Sequence, residues 1–85
     1  MKIHELIALL NTYDPNLLVV VDGYEGGVES VFKNSLSIVD IALNANKEDY
    51  YGSHENLAYG GHLSSVADCV KTTALLISRD GYDEQ

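Results

Sequence analysis

The chain begins with apolar residues at helical spacing. They follow the i, i+3, i+4, i+7 rule of an amphipathic helix and are Ile3, Leu6, Ile7 and Leu10. The pattern predicts a helix from about residue 2 to residue 12 with one apolar face. Asp14-Pro15 should follow its end, because the residue before a proline is disfavoured in the α region.

The next segment is an unbroken apolar run of five residues, 17–21, which leads directly into Asp22-Gly23. Three of the five are β-branched valines, and the run is too short for a helix with its own core. Such a run is typical of a strand buried on both faces. We therefore expect it to be the central strand, with the other elements arranged around it.

Two further apolar segments predict strands. The first runs from Leu36 to Leu43; its alternation is regular from Val39 onward and slips by one position near Ile38, which suggests a β-bulge. The second runs from Thr73 to Ser78 and ends at an Asp-Gly pair. Together the elements predict one α+β domain, residues 1–85, in which the helix packs on a mainly antiparallel sheet of three to four strands. We expect the helix to contact Val19, Val21, Ile41, Leu75 and Ile77.

The longest irregular stretch, residues 44–65, separates these two strands. Loops of this length in a small domain are usually functional, mobile, or contain an element that the pattern does not reveal. Residues 66–70 could add one helical turn. The stretch contains most of the candidate binding residues, which are Tyr50, Tyr51, His54, Glu55 and Tyr59. Tyrosines of this kind are common at recognition sites, although Tyr50 and Tyr59 could also simply cover the sheet.

A short sequence repeats after two of the predicted strands. Asp22-Gly23-Tyr24-Glu25 and Asp80-Gly81-Tyr82-Asp83 each follow an apolar run. If the strand between them is antiparallel to both, the two segments lie at the same edge of the sheet. Asp22, Tyr24 and Glu25 would then be part of an acidic, tyrosine-bearing docking edge. The alternative is that Asp-Gly is merely a common way to leave a strand.

The charge balance narrows the choice of partners. Thirteen acids against five bases give a formal net charge of −8. Because affinity for a phosphate backbone comes from basic side chains, we expect no direct binding to nucleic acid. The charge either maintains solubility or favours a protein partner with a basic surface.

Candidate catalytic and metal-binding residues are sparse. His54, His62 and Cys69 are of types that bind zinc, but their spacing matches no usual zinc motif. Cys69 with either histidine lacks a third group to form a nucleophilic site. We expect no catalytic residues, metal or cofactor, and hence no enzyme. The single cysteine and the lack of a long apolar segment favour a cytoplasmic location and no membrane association.

About the first two thirds of the chain carries a resemblance to a known group of proteins. Residues 2–10, Asp14-Pro15, the run 17–21 and Gly23–Gly27 resemble short acidic proteins of phages, prophages and bacteria, and Tyr50-Tyr51-Gly52 with His54-Glu55 is similar to that family's mid-chain loop. The family has no established activity, so the resemblance transfers no site residues. It implies a phage or prophage setting.

These observations favour two functions. The first is a non-enzymatic interaction protein, such as a phage-type acidic inhibitor of a host defence or nucleic-acid-binding protein. The second is a small-molecule-binding protein that uses the loop 49–62 at a homodimer interface. In either case we expect a homodimer, because a chain of 85 residues has a thin core and exposed strand edges.

Overall fold

The computed structural model describes residues 1–48, 51–62 and 64–83 of the chain. It has one N-terminal helix, a second one-turn helix and five short strands, so the predicted α+β class is confirmed. The elements are α1 (Ile3–Leu10), β1 (Val20–Asp22), β2 (Val28–Ser30), β3 (Leu36–Ala42), β4 (Glu55–Asn56), α2 (Leu57–Gly60) and β5 (Lys71–Ile77). Two 3-10 turns lie at Lys33–Ser35 and Ser64–Val66.

Helix α1 begins where the sequence predicts and ends earlier. The carboxylate of Glu5 accepts a hydrogen bond from the backbone N–H of Lys2 at 3.0 Å, which satisfies one of the unpaired donors of the first turn. The helix ends at Leu10, with Asn11 at its C-cap. The chain then turns, and the side chain of Asp14 accepts from the N–H of Asn16 at 2.9 Å.

The strands form two antiparallel sheets. In the part of the chain that the structure describes, β1 and β2 pair only with each other, while the main sheet has the order β4-β3-β5. In the long β3–β5 ladder Leu36 lies opposite Ile77 and Ala42 opposite Lys71, with one-to-one pairing between them. The predicted bulge near Ile38 is therefore wrong, and the change of pattern there reflects exposure of Ile38 rather than an extra residue.

The prediction that residues 17–21 form the buried central strand is also wrong. Only Val20 and Val21 of that run are in β1, and β1 has a single neighbour. Leu18 is 83% exposed, and Val19 and Val20 are exposed as well. A run of apolar residues indicates that burial is favourable. It does not indicate whether the same chain or another chain buries it.

Helix α1 does not bury its apolar face within the chain. Ile7 is 55% exposed, and Ile3 and Leu10 are exposed to a similar degree. Among the described elements, α1 makes no extensive contact with a strand. The predicted contact between the helix and the main sheet is therefore wrong. Because β1 pairs with β2 and not with β3, the helix that precedes β1 does not lie over the main sheet.

The interior is small and lies at one end of the main sheet. Its buried side chains are Ala42, Ala45 and Val66, with Leu57 and Cys69 partly buried against them. The Sγ of Cys69 lies 3.2 Å from the backbone oxygen of Ser65 and donates to it. The Nζ of Lys71 donates to the backbone oxygens of Val66 and Cys69 at 2.9 and 3.0 Å, which fixes the turn beneath this cluster.

The described residues include no helix with the length and apolarity required to span a bilayer.

Candidate functional site

The predicted loop region is more ordered than its sequence suggests. It contains β4, α2 and the Ser64–Val66 turn, and β4 pairs with the end of β3. The helical turn predicted at 66–70 lies two residues earlier, at Ser64–Val66. The region is therefore built against the main sheet, because its strand residues Glu55 and Asn56 lie opposite Ala42 and Ile41.

Asn46 links the segment after β3 to residues 52–55 through hydrogen bonds. Its Nδ2 donates to the backbone oxygen of Gly52 at 2.9 Å and to Oε2 of Glu55 at 2.8 Å. Its backbone N–H donates to the oxygen of Ser53 at 3.1 Å. Sequence reasoning missed Asn46, since an asparagine among polar residues gives no signal of the three bonds that it makes.

His54 has a structural role in the same region. Its Nδ1 accepts a hydrogen bond from the backbone N–H of Asn44 at 2.9 Å. Asn44 has a φ of 54°, a left-handed conformation that asparagine tolerates better than most residues. The imidazole therefore stabilises the turn after β3.

Gly60 is needed because Glu55 passes close to it. Gly60 is buried, and a Cβ placed there would collide with the carboxylate of Glu55. Asn56 caps the short helix that contains Gly60, with its Oδ1 accepting from the N–H of Ala58 at 3.0 Å. Glu55 is thus held between Asn46 and the backbone of α2.

A cavity of about 750 Å³ lies beside this arrangement. Two of the predicted binding residues, Tyr51 and Glu55, contribute to its wall. The other lining residues are Asn44, Ala45, Asn46, Lys47, Glu48, Ser65, Asp68 and Cys69. Its polar groups are amides, carboxylates, the hydroxyls of Tyr51 and Ser65 and one amine, which could contact a small polar molecule through hydrogen bonds.

The remaining predicted loop residues are not part of this cavity wall, as far as the described residues show. His54 faces Asn44, and Tyr59 is 80% exposed on α2. Tyr50 lies outside the described residues. Of the five predicted loop residues, Tyr51 and Glu55 line the cavity, and their role in binding stays a prediction.

The two Asp-Gly-Tyr segments approach one another. The guanidinium carbon of Arg79 lies 3.8 Å from the ring centroid of Tyr24, which is a cation–π contact. Asp22 and Arg79 line one shallow cavity of about 590 Å³ with Val20, Val21 and Ile77. The sequence predicted that both segments lie at one edge of a single sheet, with the strand between them antiparallel to both neighbours. That arrangement is wrong, because β3 pairs with β5 but not with β1. The approach arises between two separate sheets instead.

We refer to residues 22–25 and 79–83 together as the Asp-Gly-Tyr surface. Asp22, Tyr24 and Glu25 are exposed, as are Tyr82 and the two aspartates beside it. The surface contains four carboxylates and one base, Arg79, whose guanidinium lies over the ring of Tyr24. Its tyrosines and carboxylates are therefore open to a partner.

Tyr82 is fixed at this surface by its backbone. Its N–H donates to Oδ1 of Asn34 at 2.8 Å, and the N–H of Asp80 donates to the hydroxyl of Ser78 at 3.0 Å. The phenol of Tyr82 is exposed. A preorganised aromatic of this kind loses little conformational entropy when a partner binds.

Among the described residues, no three or more His, Cys, Asp and Glu side chains are grouped in a way that could hold a metal ion. Comparison with protein-family models, curated proteins and solved structures gives no match.

Proposed function

We propose that this chain is a non-enzymatic, cytoplasmic interaction protein whose apolar surface is covered by other protein. The observation that carries this proposal is the accessible surface of the chain, 7231 Å². A folded monomer of 9.3 kDa exposes about 5,000 Å². The difference, roughly 2,200 Å² per chain, is more than one partner contributes to a stable interface of standard size.

The shape of the chain supports the same function. Its radius of gyration is 15.1 Å, whereas a compact chain of this length has about 12 Å. Large apolar side chains are exposed on the helix, on both sheets and in the segments between them. Exposed apolar surface on this scale marks a protein interaction site.

The acidity of the chain favours a basic protein as a further partner. The Asp-Gly-Tyr surface combines carboxylates with the exposed rings of Tyr24 and Tyr82, and tyrosines of this kind are typical of recognition sites. A basic groove of a host nucleic-acid-binding or defence protein has the complementary charge. We therefore propose inhibition of such a protein, in the phage or prophage setting that the sequence resemblance implies.

The test is capture of partners from bacterial lysate with two matched double variants. Asp22→Asn with Asp80→Asn removes two charges from the Asp-Gly-Tyr surface. Glu48→Gln with Asp68→Asn removes two charges from the wall of the larger cavity. A protein bound by the wild type should lose affinity about tenfold with the first pair and less than about twofold with the second, with a slower association rate at low salt.

Two results would contradict this assignment. One is that the wild type retains no protein above the level of a control resin. The other is that both double variants weaken binding equally, since the effect would then come from net charge and not from the Asp-Gly-Tyr surface.

The cavity beside Glu55 supports a second candidate function, the binding of a small polar molecule. Its volume lies within the range of small-molecule sites. A ligand in it should raise the melting temperature of the wild type, and Tyr51→Ala should reduce that shift, measured against the variant's own unliganded melting temperature. A shift that Tyr51→Ala leaves unchanged would place the ligand elsewhere.

A further inference from the structure

We propose that helix α1 of one chain packs on the exposed face of the β3–β5 ladder of a second copy, and that the second copy returns the same contact. The proposal rests on the proposed function, and it names the partner that covers the apolar surface. The two surfaces involved are present in every chain, and the described residues of the same chain cover neither of them completely.

The first surface is the apolar face of α1. It is formed by Ile3, Leu6, Ile7 and Leu10, and all but the partly buried Leu6 are more than half exposed. An isolated helix of eight residues is not stable in water, so its apolar face must be packed for the helix to persist. Between Glu5 and Asp14 the chain contains no charged residue.

The second surface is one half of one face of the β3–β5 ladder. Leu36 lies opposite Ile77, and Ile38 lies opposite Leu75. Residues opposite one another in an antiparallel ladder, and those two positions along, share a face of the sheet. These four side chains therefore form one apolar patch. All four are exposed, and Ile38 is 77% exposed.

The same face becomes polar toward the other end of the ladder. Asp40 lies opposite Thr73, and the hydroxyl of Thr73 donates to Oδ1 of Asp40 at 3.2 Å. The next pair on this face is Lys71 and Ala42, and Ala42 is buried in the chain's own core cluster. The apolar patch therefore has a defined boundary, as expected for a surface that an element of limited length covers.

The exposed area is large enough for an interface with a second copy. Each chain exposes roughly 2,200 Å² more than a compact monomer of its mass. This excess is larger than the roughly 800 Å² that one partner contributes to a stable interface of standard size. A reciprocal contact between helix and sheet closes at two chains, because each chain gives one helix and receives one.

The charge distribution permits like chains to associate. Residues 6–21 contain one charged side chain, that of Asp14, while the four residues of the sheet patch are all uncharged. The net charge of −8 is therefore concentrated outside the two surfaces. A basic partner would gain nothing from them electrostatically, whereas a second copy has the matching apolar face.

The direct test is cross-linking between two differently tagged variants. One chain carries Ile7→Cys and the other Ile38→Cys, each with Cys69→Ser so that no other thiol is present. The chains are unfolded and refolded together and then treated with a short bis-maleimide. The expected product joins the two tags, at a yield several-fold above that of a control mixture in which Val70→Cys replaces Ile38→Cys. Val70 is also exposed but lies outside the patch.

A chain carrying both Ile7→Cys and Ile38→Cys tests the alternative, in which the helix packs on the sheet of its own chain. If this double variant forms an internal cross-link at high dilution and the mixed-tag product stays at the control level, the helix covers the sheet of its own chain. That result overturns the proposal.

Sedimentation provides a second test that requires no thiol. At tens of micromolar the wild type should sediment as a dimer. Ile7→Lys and Ile38→Lys should each raise the dissociation constant about tenfold or more, and Val70→Lys less than about twofold. Lysine lowers the net negative charge, so added repulsion between the chains cannot explain the loss.

A monomeric wild type overturns the dimer. If that monomer still binds a basic protein through the Asp-Gly-Tyr surface, the basic partner of the proposed function stands without the dimer. If the wild type is a dimer but retains no other protein, the contact between copies stands and the proposed basic partner is wrong.

Discussion

Replacing Gly81 with alanine is expected to lower the free energy of unfolding by about 2–4 kcal/mol, combining overpacking with a lost hydrogen bond. A Cβ at this position would collide with the hydroxyl of Ser35 and would lie 2.7 Å from its Cβ. Ser35 cannot move aside easily, because it is 1% exposed. Its Oγ also accepts from the N–H of Phe32 at 2.9 Å, and its backbone oxygen accepts from the N–H of Ser78 at 2.7 Å.

Gly52 supplies the matched control for this substitution. A Cβ at Gly52 would have no atom within 4 Å, so Gly52→Ala should be neutral or slightly stabilising. Urea denaturation at one fixed protein concentration measures both variants. Ser35→Gly combined with Gly81→Ala should recover part of the loss, because it removes the colliding atoms. Equal stability of Gly81→Ala and Gly52→Ala would show that Gly81 does not lie against Ser35.

The second large effect is expected at Ala42. Its side chain is 0% exposed and lies in the small cluster with Ala45 and Val66. Ala42→Leu should cost about 1–3 kcal/mol, because added methylene groups force neighbouring side chains from their preferred rotamers. Ala42 also lies opposite Glu55 of β4, so we expect the cavity region beside β4 to be displaced as well.

Ala58 offers the control for this experiment, since it is exposed on α2. Ala58→Leu should change the free energy of unfolding by less than about 0.5 kcal/mol. The measurement is again denaturation at fixed concentration, accompanied by the NMR signal of Tyr51, which lines the cavity. A similar small effect at both alanines would contradict the position of the core at this end of the sheet.

Periodicity predicted α1 and the two strands of the longest ladder. The alternation from Val39 onward and the apolar run near Leu75 predicted β3 and β5, and the structure pairs them along seven residues. The helical spacing of Ile3 to Leu10 predicted α1 within two residues at either end. In both cases the residues that carry the apolar pattern also make the hydrogen bonds of the element, within helix α1 or within the β3–β5 ladder.

The position of residues 17–21 could not be predicted in the same way. Their apolar character shows that burial is favourable, but it does not distinguish cover by the same chain from cover by another. In the structure Leu18 and Val19 are exposed and β1 has one neighbour. The interpretation as a central strand assumed that one chain supplies the whole core.

The candidate site was predicted in part for a related reason. Tyrosines, a histidine and a glutamate identified the loop region, and Tyr51 and Glu55 do line its cavity. The roles of Asn46 and His54 depend on bonds to Gly52 and Asn44 across the loop, and no spacing in the sequence encodes those bonds. Likewise, the approach of Tyr24 to Arg79 joins two sheets that the sequence predicts as one.

The central claim is that the apolar surface of this chain is covered by another protein chain. Hydrogen exchange of the backbone amides of α1, followed over a dilution series, tests it most directly. Because a helix of eight residues is unstable alone, its amides should be protected at tens of micromolar and should lose that protection on dilution, while those of the β3–β5 ladder change less. Protection of α1 that is unchanged at the lowest concentration, where the chain sediments as a monomer, would show that the chain covers its own helix and would contradict the account.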